Sequence, residues 1–195
     1  MLKGLVLAGG RSTRMGKDKG RIQLHTLPLR EHIFHLMKAA GLDSVYISCR
    51  ADQAAGLGDY PVIVDHYPGT GPLGAILSAF ETDENSAWLV LACDMPMLSA
   101  QTIRQLIQQR KPHLPATVFS DETGYIQPLA AIWEPAIIPT IREVFFYHNQ
   151  SPRSVLLQSD IHLIVPEEPS DLTSFNKPEE LNQISVQFPS EKSKS

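Results

Sequence analysis

Long apolar runs, cysteine and an excess of charge are all scarce in this sequence. No apolar stretch reaches the roughly 20 residues that a membrane-spanning helix needs. The first residues also lack the pattern of a signal peptide. The formal net charge of the 195 residues is only −4, which gives no overall attraction to nucleic acid or to anionic membranes. Cys49 and Cys93 lie in apolar runs, and we expect buried thiols of a cytoplasmic protein rather than a disulfide or a metal pair.

Several common chemical motifs are missing as well. A P-loop requires G-x-x-x-x-G-K-[ST], but Gly10 and Gly16 are one residue too far apart and Lys17 is followed by Asp18. The dinucleotide fingerprint G-x-G-x-x-G is absent. No Ser-His-Asp set and no cluster of His and Cys suggests hydrolysis or zinc chemistry. None of these motifs therefore accounts for the function of this chain.

The start of the chain combines a short apolar strand with a loop of glycine, hydroxyls and cations. The run 5–8 predicts a buried strand that breaks at Gly9 and Gly10. Two glycines allow a sharp bend, and successive backbone N–H groups in such a turn form an anion-binding concavity. Four cations follow within ten residues: Arg11, Arg14, Lys17 and Lys19. The loop therefore predicts a phosphate site, with a glycine turn and solvated basic residues as the alternative.

Alternating apolar runs and helical segments predict an α/β fold, a mostly parallel central sheet flanked by helices on both faces. The predicted strands cover 5–8, 45–49, 61–65, 88–93, 116–119, 127–133 and 161–165. The predicted helices cover 28–41, a segment beginning near 72, 99–110, 135–147, 151–157 and a segment beginning at 176–181. A turn is expected at 121–124, with a hairpin as the alternative left open. The length favours one domain over 1–188, followed by a disordered tail over 189–195.

Two carboxylates follow predicted strands. Asp65 comes directly after the third strand, and Asp94 comes after an apolar run that suits a central strand buried on both faces. Ligands of open α/β sheets bind at the carboxyl ends of the strands, where these side chains and the glycine loop would meet. Mg²⁺ binds one or two carboxylates together with substrate phosphates. The alternative for Asp94 is a cap of the next turn.

The first loop resembles the signature of nucleotidyltransferases with a Rossmann-like fold. Residues 7–19 match L-A-G-G-x-S-x-R-M-G-x-D-K, and this form is similar to that of the molybdenum cofactor guanylyltransferases. The resemblance implies that Lys19 contacts the nucleotide and that Arg14 faces the triphosphate, both with catalytic roles. It also implies that the turn holds the guanine nucleotide through Leu7, Ala8, Gly9 and Gly10.

Later segments resemble further motifs of the same family, in the same order. Gly71, Pro72 and Leu73 match a Gly-Pro-Leu motif that lies beside the base and sugar. The resemblance makes Asp65 a nucleotide contact just upstream of that motif. Residues 93–96 match C-D-x-P, which implies that Asp94 is catalytic and binds both the nucleotide and Mg²⁺.

The last matching segments are associated with the pterin substrate. The resemblance places Gln127, Pro128 and Asn176 on that side. The family commonly reads N-x-N-T-P near its end, whereas Ser174 and Lys177 stand here for one asparagine and the threonine. A pterin contact by Ser174 is therefore not predicted.

The resemblance implies a cytoplasmic enzyme that transfers GMP from GTP to molybdenum-bound molybdopterin and releases pyrophosphate, with Mg²⁺ as cofactor. Its substrates would be GTP and molybdopterin, with transient contacts to molybdenum-insertion proteins or apoenzymes and none to nucleic acid or membrane. Related transferases that use CTP or a sugar phosphate are alternatives. A non-catalytic protein that binds or delivers the cofactor is another.

Overall fold

A computed structural model describes residues 1–8, 20, 22, 27–148 and 151–175 of the chain, with a sheet of seven strands at its centre. The strands are β1 (Leu2–Leu7), β2 (Val45–Cys49), β3 (Val62–Val64), β4 (Ala87–Ala92), β5 (Ala116–Ser120), β6 (Ile126–Trp133) and β7 (Ile161–Ile164). Their order across the sheet is β3-β2-β1-β4-β6-β5-β7. All neighbours are parallel except that β6 runs antiparallel to β4 and β5. The predicted mostly parallel sheet is confirmed.

Helices cover both faces of this sheet. They are α1 (Leu29–Ala39), α2 (Ala51–Ala54), α3 (Pro72–Thr82), α4 (Ala100–Gln108), α5 (Ile138–Glu143) and α6 (Pro152–Leu157). Side chains of α1 and α4 join the apolar core on one face, and those of α3, α5 and α6 join the core on the other. The fold is therefore a three-layer α/β arrangement, as the alternation of strand and helix patterns predicts.

Strand β4 lies at the middle of both cores, and all six of its residues are buried. Trp88 and Val90 belong to the core under α3, whereas Leu89 and Leu91 belong to the core under α1 and α4. Successive side chains of a strand point to opposite faces, so a strand covered on both sides reads as a continuous apolar run. This confirms the prediction of a central strand at this place.

The segment 135–147 is helical, as predicted, but it is not one continuous α-helix. The segment consists of a 3₁₀ turn (Pro135–Ile137), then α5, then a π-helical turn (Val144–His148). Pro135 and Pro139 have no N–H to donate, so an uninterrupted α-helical ladder cannot run through both positions. The apolar stripe is still inward, since Ile137, Ile141 and Val144 are buried.

The predicted turn at 121–124 closes a hairpin between β5 and β6. The N–H of Gly124 donates to the carbonyl oxygen of Asp121 at 3.0 Å, and Gly124 has a φ of 82° that favours glycine. The antiparallel β6 places β5 in the same direction as β4, and β7 then adds in parallel beside β5. The carboxyl end of β5 therefore lies on the same edge of the sheet as the ends of β1 and β4.

Some predictions fall on residues that the structure does not describe. The final helix at 176–181 and the tail over 189–195 lie outside the described residues, and the single domain over 1–188 stays a prediction. Cys49 and Cys93 are both buried, as predicted, and neither is in a disulfide. Among the described residues, no helix has both the length and the apolar character to cross a membrane.

An ion pair between Lys3 and Asp83 lies at the amino edge of the sheet, where the parallel strands begin. Lys3 Nζ donates to Asp83 Oδ2 at 2.6 Å, and the ammonium also lies 5.6 Å from the centre of the Trp88 ring. Asp83 accepts two further bonds, from the hydroxyl of Ser86 at 2.7 Å and from the N–H of Asn85 at 2.9 Å. These hydrogen bonds, the one from Lys3 first, hold the pKa of the Asp83 carboxyl well below its usual range.

Candidate active site at the carboxyl edge of the sheet

Strands β1 and β4 leave the sheet side by side at its carboxyl edge. Their register pairs Leu7 with Ala92, and the N–H of Cys93 continues the ladder to the carbonyl oxygen of Leu7 at 3.4 Å. On the other side, the N–H of Ala8 donates to the carbonyl oxygen of Ser48 at 3.1 Å. From β1 the chain continues to β2 and β3 on one side of β1. It then crosses back to β4, which lies on the other side of β1. This reversal of strand order opens the crevice in which α/β sheets bind ligands.

Asp94 is half-buried in the turn directly after β4, where the sequence predicts a functional carboxylate. Its carbonyl oxygen accepts a hydrogen bond from the N–H of Phe175 at 3.2 Å. The next helix, α4, is capped by Ser99, whose hydroxyl oxygen accepts from the N–H of Thr102 at 3.2 Å. Ser99 therefore caps α4, and Asp94 lies at the crevice.

Asp65 extends the sheet beyond β3. Its N–H donates to the carbonyl oxygen of Cys49 at 2.9 Å, and its Oδ1 accepts from the N–H of Tyr67 at 2.9 Å. The hydroxyl of Ser78 lies 3.4 Å from the same oxygen. The half-buried carboxylate is thus oriented by its own loop and by helix α3, and it lies on the same edge as Asp94.

Ser78 is a site residue that the sequence interpretation missed. It is fully buried, its oxygen accepts from the N–H of His66 at 2.9 Å, and its hydroxyl lies 2.8 Å from the carbonyl oxygen of Gly74. The available signal was a lone serine within the apolar stripe of α3, where a hydroxyl needs partners once it is buried. Ser78 holds the loop after β3 against α3.

Contacts with Glu81 on the exposed side also hold the loop between β3 and α3. The hydroxyl of Tyr67 donates to Glu81 Oε1 at 2.5 Å, and His66 Nδ1 lies 2.8 Å from Glu81 Oε2. The bond to Glu81, together with partial burial, raises the pKa of the Tyr67 hydroxyl. The loop between β3 and α3 is therefore held at both its buried and its exposed side.

The amino end of α3 begins at the predicted Gly71-Pro72-Leu73 motif. Gly71 has a φ of 74° and Pro72 takes the first helical position, while no side chain caps the helix. The main-chain N–H groups of this first turn and the positive end of the helix dipole favour an anion. Leu73 is only 1% exposed, so any ligand contact at that position has to come from its main chain.

The structure places only part of the predicted nucleotide loop. Leu7 is half-buried and Ala8 is buried, and the carbonyl oxygen of Leu7 and the N–H of Ala8 are bonded to the neighbouring strands. The remaining residues of that prediction lie outside the described residues: Gly9, Gly10, Arg14 and Lys19. Their roles stay predictions.

A cleft of about 280 Å³ opens farther along the same edge, where β5 ends and β6 begins. It is lined by Ser120, Asp121, Gln127, Pro166, Pro169, Leu172, Thr173 and Ser174. Gln127 was predicted for the pterin side, and its neighbour Pro128 is half-buried in the same strand. Ser174, which the sequence interpretation set aside, lines the cleft, whereas Asn176 lies outside the described residues.

Arg153 is a second residue that the sequence interpretation missed. Its guanidinium lies over the ring of Tyr125, 4.5 Å from the ring centre, and its buried Nε has no hydrogen-bond partner. Tyr125 belongs to the hairpin turn, since Asp121 Oδ1 accepts from its N–H at 2.9 Å. The cation is therefore held against the same hairpin that lines the cleft. The sequence signal was an arginine in the first turn of a helix after Ser-Pro.

The donor set fits one hard cation bound mainly by substrate. The described residues contain no group of three or more His, Cys, Asp or Glu side chains that could hold a metal by themselves. Mg²⁺ does not need one, because it keeps several waters and takes one or two carboxylates plus phosphate oxygens. The half-buried carboxylate of Asp94 has the chemistry that such a ligand requires.

The fold and the crevice define an α/β protein of the class that binds ligands at a topological switch point. Residues 4–162 match the family described as the MobA-like NTP transferase domain, and the chain belongs to that family.

Curated relatives agree with this assignment. The chain is 32% identical over 186 residues to a molybdenum cofactor biosynthesis bifunctional protein of Synechocystis, with 94% of this chain covered. It spans 53% of that longer protein. A molybdenum cofactor guanylyltransferase of Pseudomonas putida is 28% identical over 185 residues, which cover 91% of this chain and 94% of that protein.

Solved structures share the fold. Molybdopterin-guanine dinucleotide biosynthesis protein A from Archaeoglobus fulgidus superposes with a TM-score of 0.80 at 19% identity, over 95% of this chain and 97% of that one. A nucleotidyl transferase from Methanothermobacter gives a TM-score of 0.78 at 15% identity, over 96% and 97% of the two chains. At these identities the likeness establishes the fold.

Proposed function

We propose that this chain transfers GMP from GTP to molybdenum-bound molybdopterin and releases pyrophosphate. The observation that supports this most is the half-buried Asp94 at the switch point between β1 and β4, in a chain whose full-length relatives are named molybdenum cofactor guanylyltransferases. In the reaction, an oxygen of the acceptor's terminal phosphate attacks the α-phosphorus of GTP. The bond from that phosphorus to the bridging oxygen of pyrophosphate breaks.

This reaction needs positioning and charge neutralisation more than it needs a protein base. The attacking phosphate oxygen is already anionic, so no side chain has to remove a proton. Asp94 would hold Mg²⁺, which neutralises charge on the transferred and leaving phosphates. The carboxylate of Asp65, fixed by Tyr67 and Ser78, would orient the nucleotide from the other side of β1.

The main chain supplies the remaining nucleotide contacts in this proposal. The free N–H groups at the start of α3 would face the nucleotide at Gly71 and Leu73. The turn after β1, with Gly9, Gly10 and Lys19, would bind the phosphates, and Arg14 would stabilise charge in the transition state.

The cleft beside β5 and β6 is the proposed site of the pterin. It contains side-chain amide and hydroxyl groups from Gln127, Thr173 and Ser174, which suit a flat heterocycle with several donors and acceptors. Arg153, held on Tyr125 at the neighbouring hairpin, would meet the negative charge of the acceptor's phosphate. Pro128 and Asn176 would complete this side.

We further propose a cytoplasmic location, because two buried cysteines that form no disulfide suit a reducing compartment. Transient contact with molybdenum-insertion proteins or with apoenzymes would follow from the need to hand over the product.

The test is transfer of labelled nucleotide to molybdenum-bound molybdopterin, with GTP, CTP and ATP compared in the presence and absence of Mg²⁺. We expect GTP to be preferred and Mg²⁺ to be required. Asp94→Asn should lower kcat by about 100-fold, since loss of one charge-stabilising group typically costs that much. The exposed Asp59→Asn serves as the matched control and should leave kcat unchanged.

Three other outcomes would each contradict a different part of this proposal. Transfer from CTP instead of GTP would keep the chemistry and change the product. Binding of GTP without any transfer would favour a non-catalytic cofactor-binding protein. Near wild-type transfer by Asp94→Asn would overturn the metal role of Asp94.

A further inference from the structure

One wall of the proposed pterin cleft is the segment 165–175, which follows β7; we refer to it as the C-terminal wall. It supplies Pro166, Pro169, Leu172, Thr173 and Ser174 to the cleft. The wall contains one 3₁₀ turn (Pro169–Leu172) and otherwise has no regular structure. Its position must therefore come from contacts with other elements.

Asp171 makes the deepest of these contacts. The side chain is 9% exposed, and its Oδ2 accepts from the N–H of Ser99 at 3.2 Å and from the hydroxyl of Thr102. Both donors belong to the start of α4, 72 and 69 residues away along the chain. The salt bridges among the described residues do not include Asp171. The N-terminal end of a helix stabilises a carboxylate without a cation, because its dipole and free N–H groups are positive.

Gln105 holds the same wall one turn farther along α4. Its Nε2 donates to the carbonyl oxygen of Val165 at 3.1 Å, and its Oε1 accepts from the N–H of Glu167 at 3.0 Å. Gln105 is 6% exposed. These two bonds bracket Pro166, so one buried amide fixes the first cleft residue of the wall.

The far end of the wall returns to Asp94. Phe175 is 1% exposed, and its N–H donates to the carbonyl oxygen of Asp94 at 3.2 Å. The wall is therefore fixed at α4 in its middle and at the turn after β4 at its end. A shift of the middle would move the cleft lining relative to Asp94.

We propose that Asp171 is a positioning residue for the acceptor: by anchoring the C-terminal wall on α4, it sets the distance between the pterin cleft and the carboxylate of Asp94. This inference rests on the proposed guanylyl transfer. Its physical basis is proximity, since the attacking phosphate oxygen must lie in line with the α-phosphorus, and a misplacement of about 1 Å can cost about 100-fold in rate.

The test uses Asp171→Ala and Thr102→Val, with Thr102→Ser as the matched control because it keeps the hydroxyl donor. We expect the first two variants to raise the KM for molybdenum-bound molybdopterin by about tenfold and also to lower kcat, because a displaced acceptor is held less well and its phosphate lies out of line with the α-phosphorus. The Kd for GTP, measured by calorimetry without acceptor, should stay within about twofold, because Asp171 bonds Ser99 and Thr102, neither of which is a proposed nucleotide contact. Thr102→Ser should retain the wild-type KM.

A variant at the opposite edge of the sheet distinguishes positioning of the acceptor by Asp171 from a general loss of stability. Asp83→Asn breaks a half-buried network with Lys3 and is expected to lower stability without changing the acceptor KM. Hydrogen exchange of the amides in 165–175 should rise in Asp171→Ala and stay unchanged in Asp83→Asn.

The outcomes separate this inference from the proposed function. An active wild type in which Asp171→Ala retains its acceptor KM would overturn the positioning role alone. Unchanged hydrogen exchange in 165–175 would overturn the anchoring, whatever the activity. A wild type that transfers no nucleotide would overturn the proposed function and the acceptor role together.

Discussion

The hydroxyl oxygen of Ser78 accepts a hydrogen bond from the main-chain N–H of His66 at 2.9 Å. This bond ties the middle of helix α3 to the loop that begins with Asp65. The serine is fully buried, so its hydroxyl does not have water as an alternative partner. The proposed orientation of the Asp65 carboxylate depends on this contact.

Ser78→Ala should therefore weaken both the loop and the nucleotide site. The variant leaves the N–H of His66 without its acceptor, and we expect a loss of about 1–3 kcal/mol in the free energy of unfolding. The Kd for GTP should rise several-fold. Thr82→Ala is the matched control, because Thr82 is exposed on the same helix and its hydroxyl makes a similar bond, to the carbonyl oxygen of Ser78 at 3.0 Å. Equal effects of the two variants on GTP binding would refute the link to Asp65.

Gly74→Ala tests how closely the loop approaches α3. A Cβ at Gly74 would lie 2.1 Å from Thr70 Oγ1 and 2.9 Å from Tyr67 Cβ, so the loop would have to move. We expect a loss of about 1–3 kcal/mol in urea unfolding, as for other overpacked sites, and a weaker affinity for GTP. Gly4→Ala is the comparison variant, because its Cβ would meet the flexible Met37 Sδ at 2.7 Å. That variant should leave GTP affinity unchanged.

Asp83→Asn tests the ion pair at the amino edge. The pKa of Asp83 is lower in the folded chain than in the unfolded chain, so its contribution is fully present above the unfolded pKa and is lost as the pH falls toward the folded pKa. We expect the variant to lose about 1.5–3 kcal/mol at pH 7, the usual range for hydrogen bonds to a charged group.

The measurement is urea unfolding of wild type and Asp83→Asn at pH 7 and at pH 3. The difference between them should be constant above about pH 5 and should narrow below the ordinary aspartate pKa of about 3.9. The exposed Glu122→Gln, in the hairpin turn, should change stability by less than about 0.5 kcal/mol at either pH. If the difference in unfolding free energy between wild type and Asp83→Asn grew as the pH fell, the pKa of Asp83 would not be lowered by folding.

Much of the fold was predictable because its signals are local. The continuous apolar run of β4, the proline at the start of α3 and the Gly at the tip of the β5–β6 hairpin each predict their element from a few neighbouring residues. The prediction that 135–147 is helical is confirmed, but the spacing did not show that the segment begins as a 3₁₀ turn, in which the N–H of Ile138 rather than that of residue 139, a proline, bonds the carbonyl oxygen of Pro135. Periodicity reports which face is buried, and it is blind to a change of helix type.

The candidate site was predictable only in part. Asp65 and Asp94 were found because polar side chains at the ends of buried strands stand out in the sequence. Ser78 and Arg153 were missed, because a single serine or arginine in a helix acquires its meaning from partners that are far away along the chain. The predicted roles of Gly9, Gly10, Arg14, Lys19 and Asn176 fall on residues that the structure does not describe, and they stay predictions.

The sequence by itself determined the α/β class, the strand ends at which ligands bind and the resemblance that names a family. These follow from spacing and residue type, which are properties of short segments. Only the tertiary structure decided that β6 is antiparallel and that β5 joins the same edge as β4, because strand pairing is a choice among distant segments. It also decided that Asp171 reaches the start of α4 and that Phe175 returns to Asp94, since a buried carboxylate or N–H takes the partner that the packed chain brings to it.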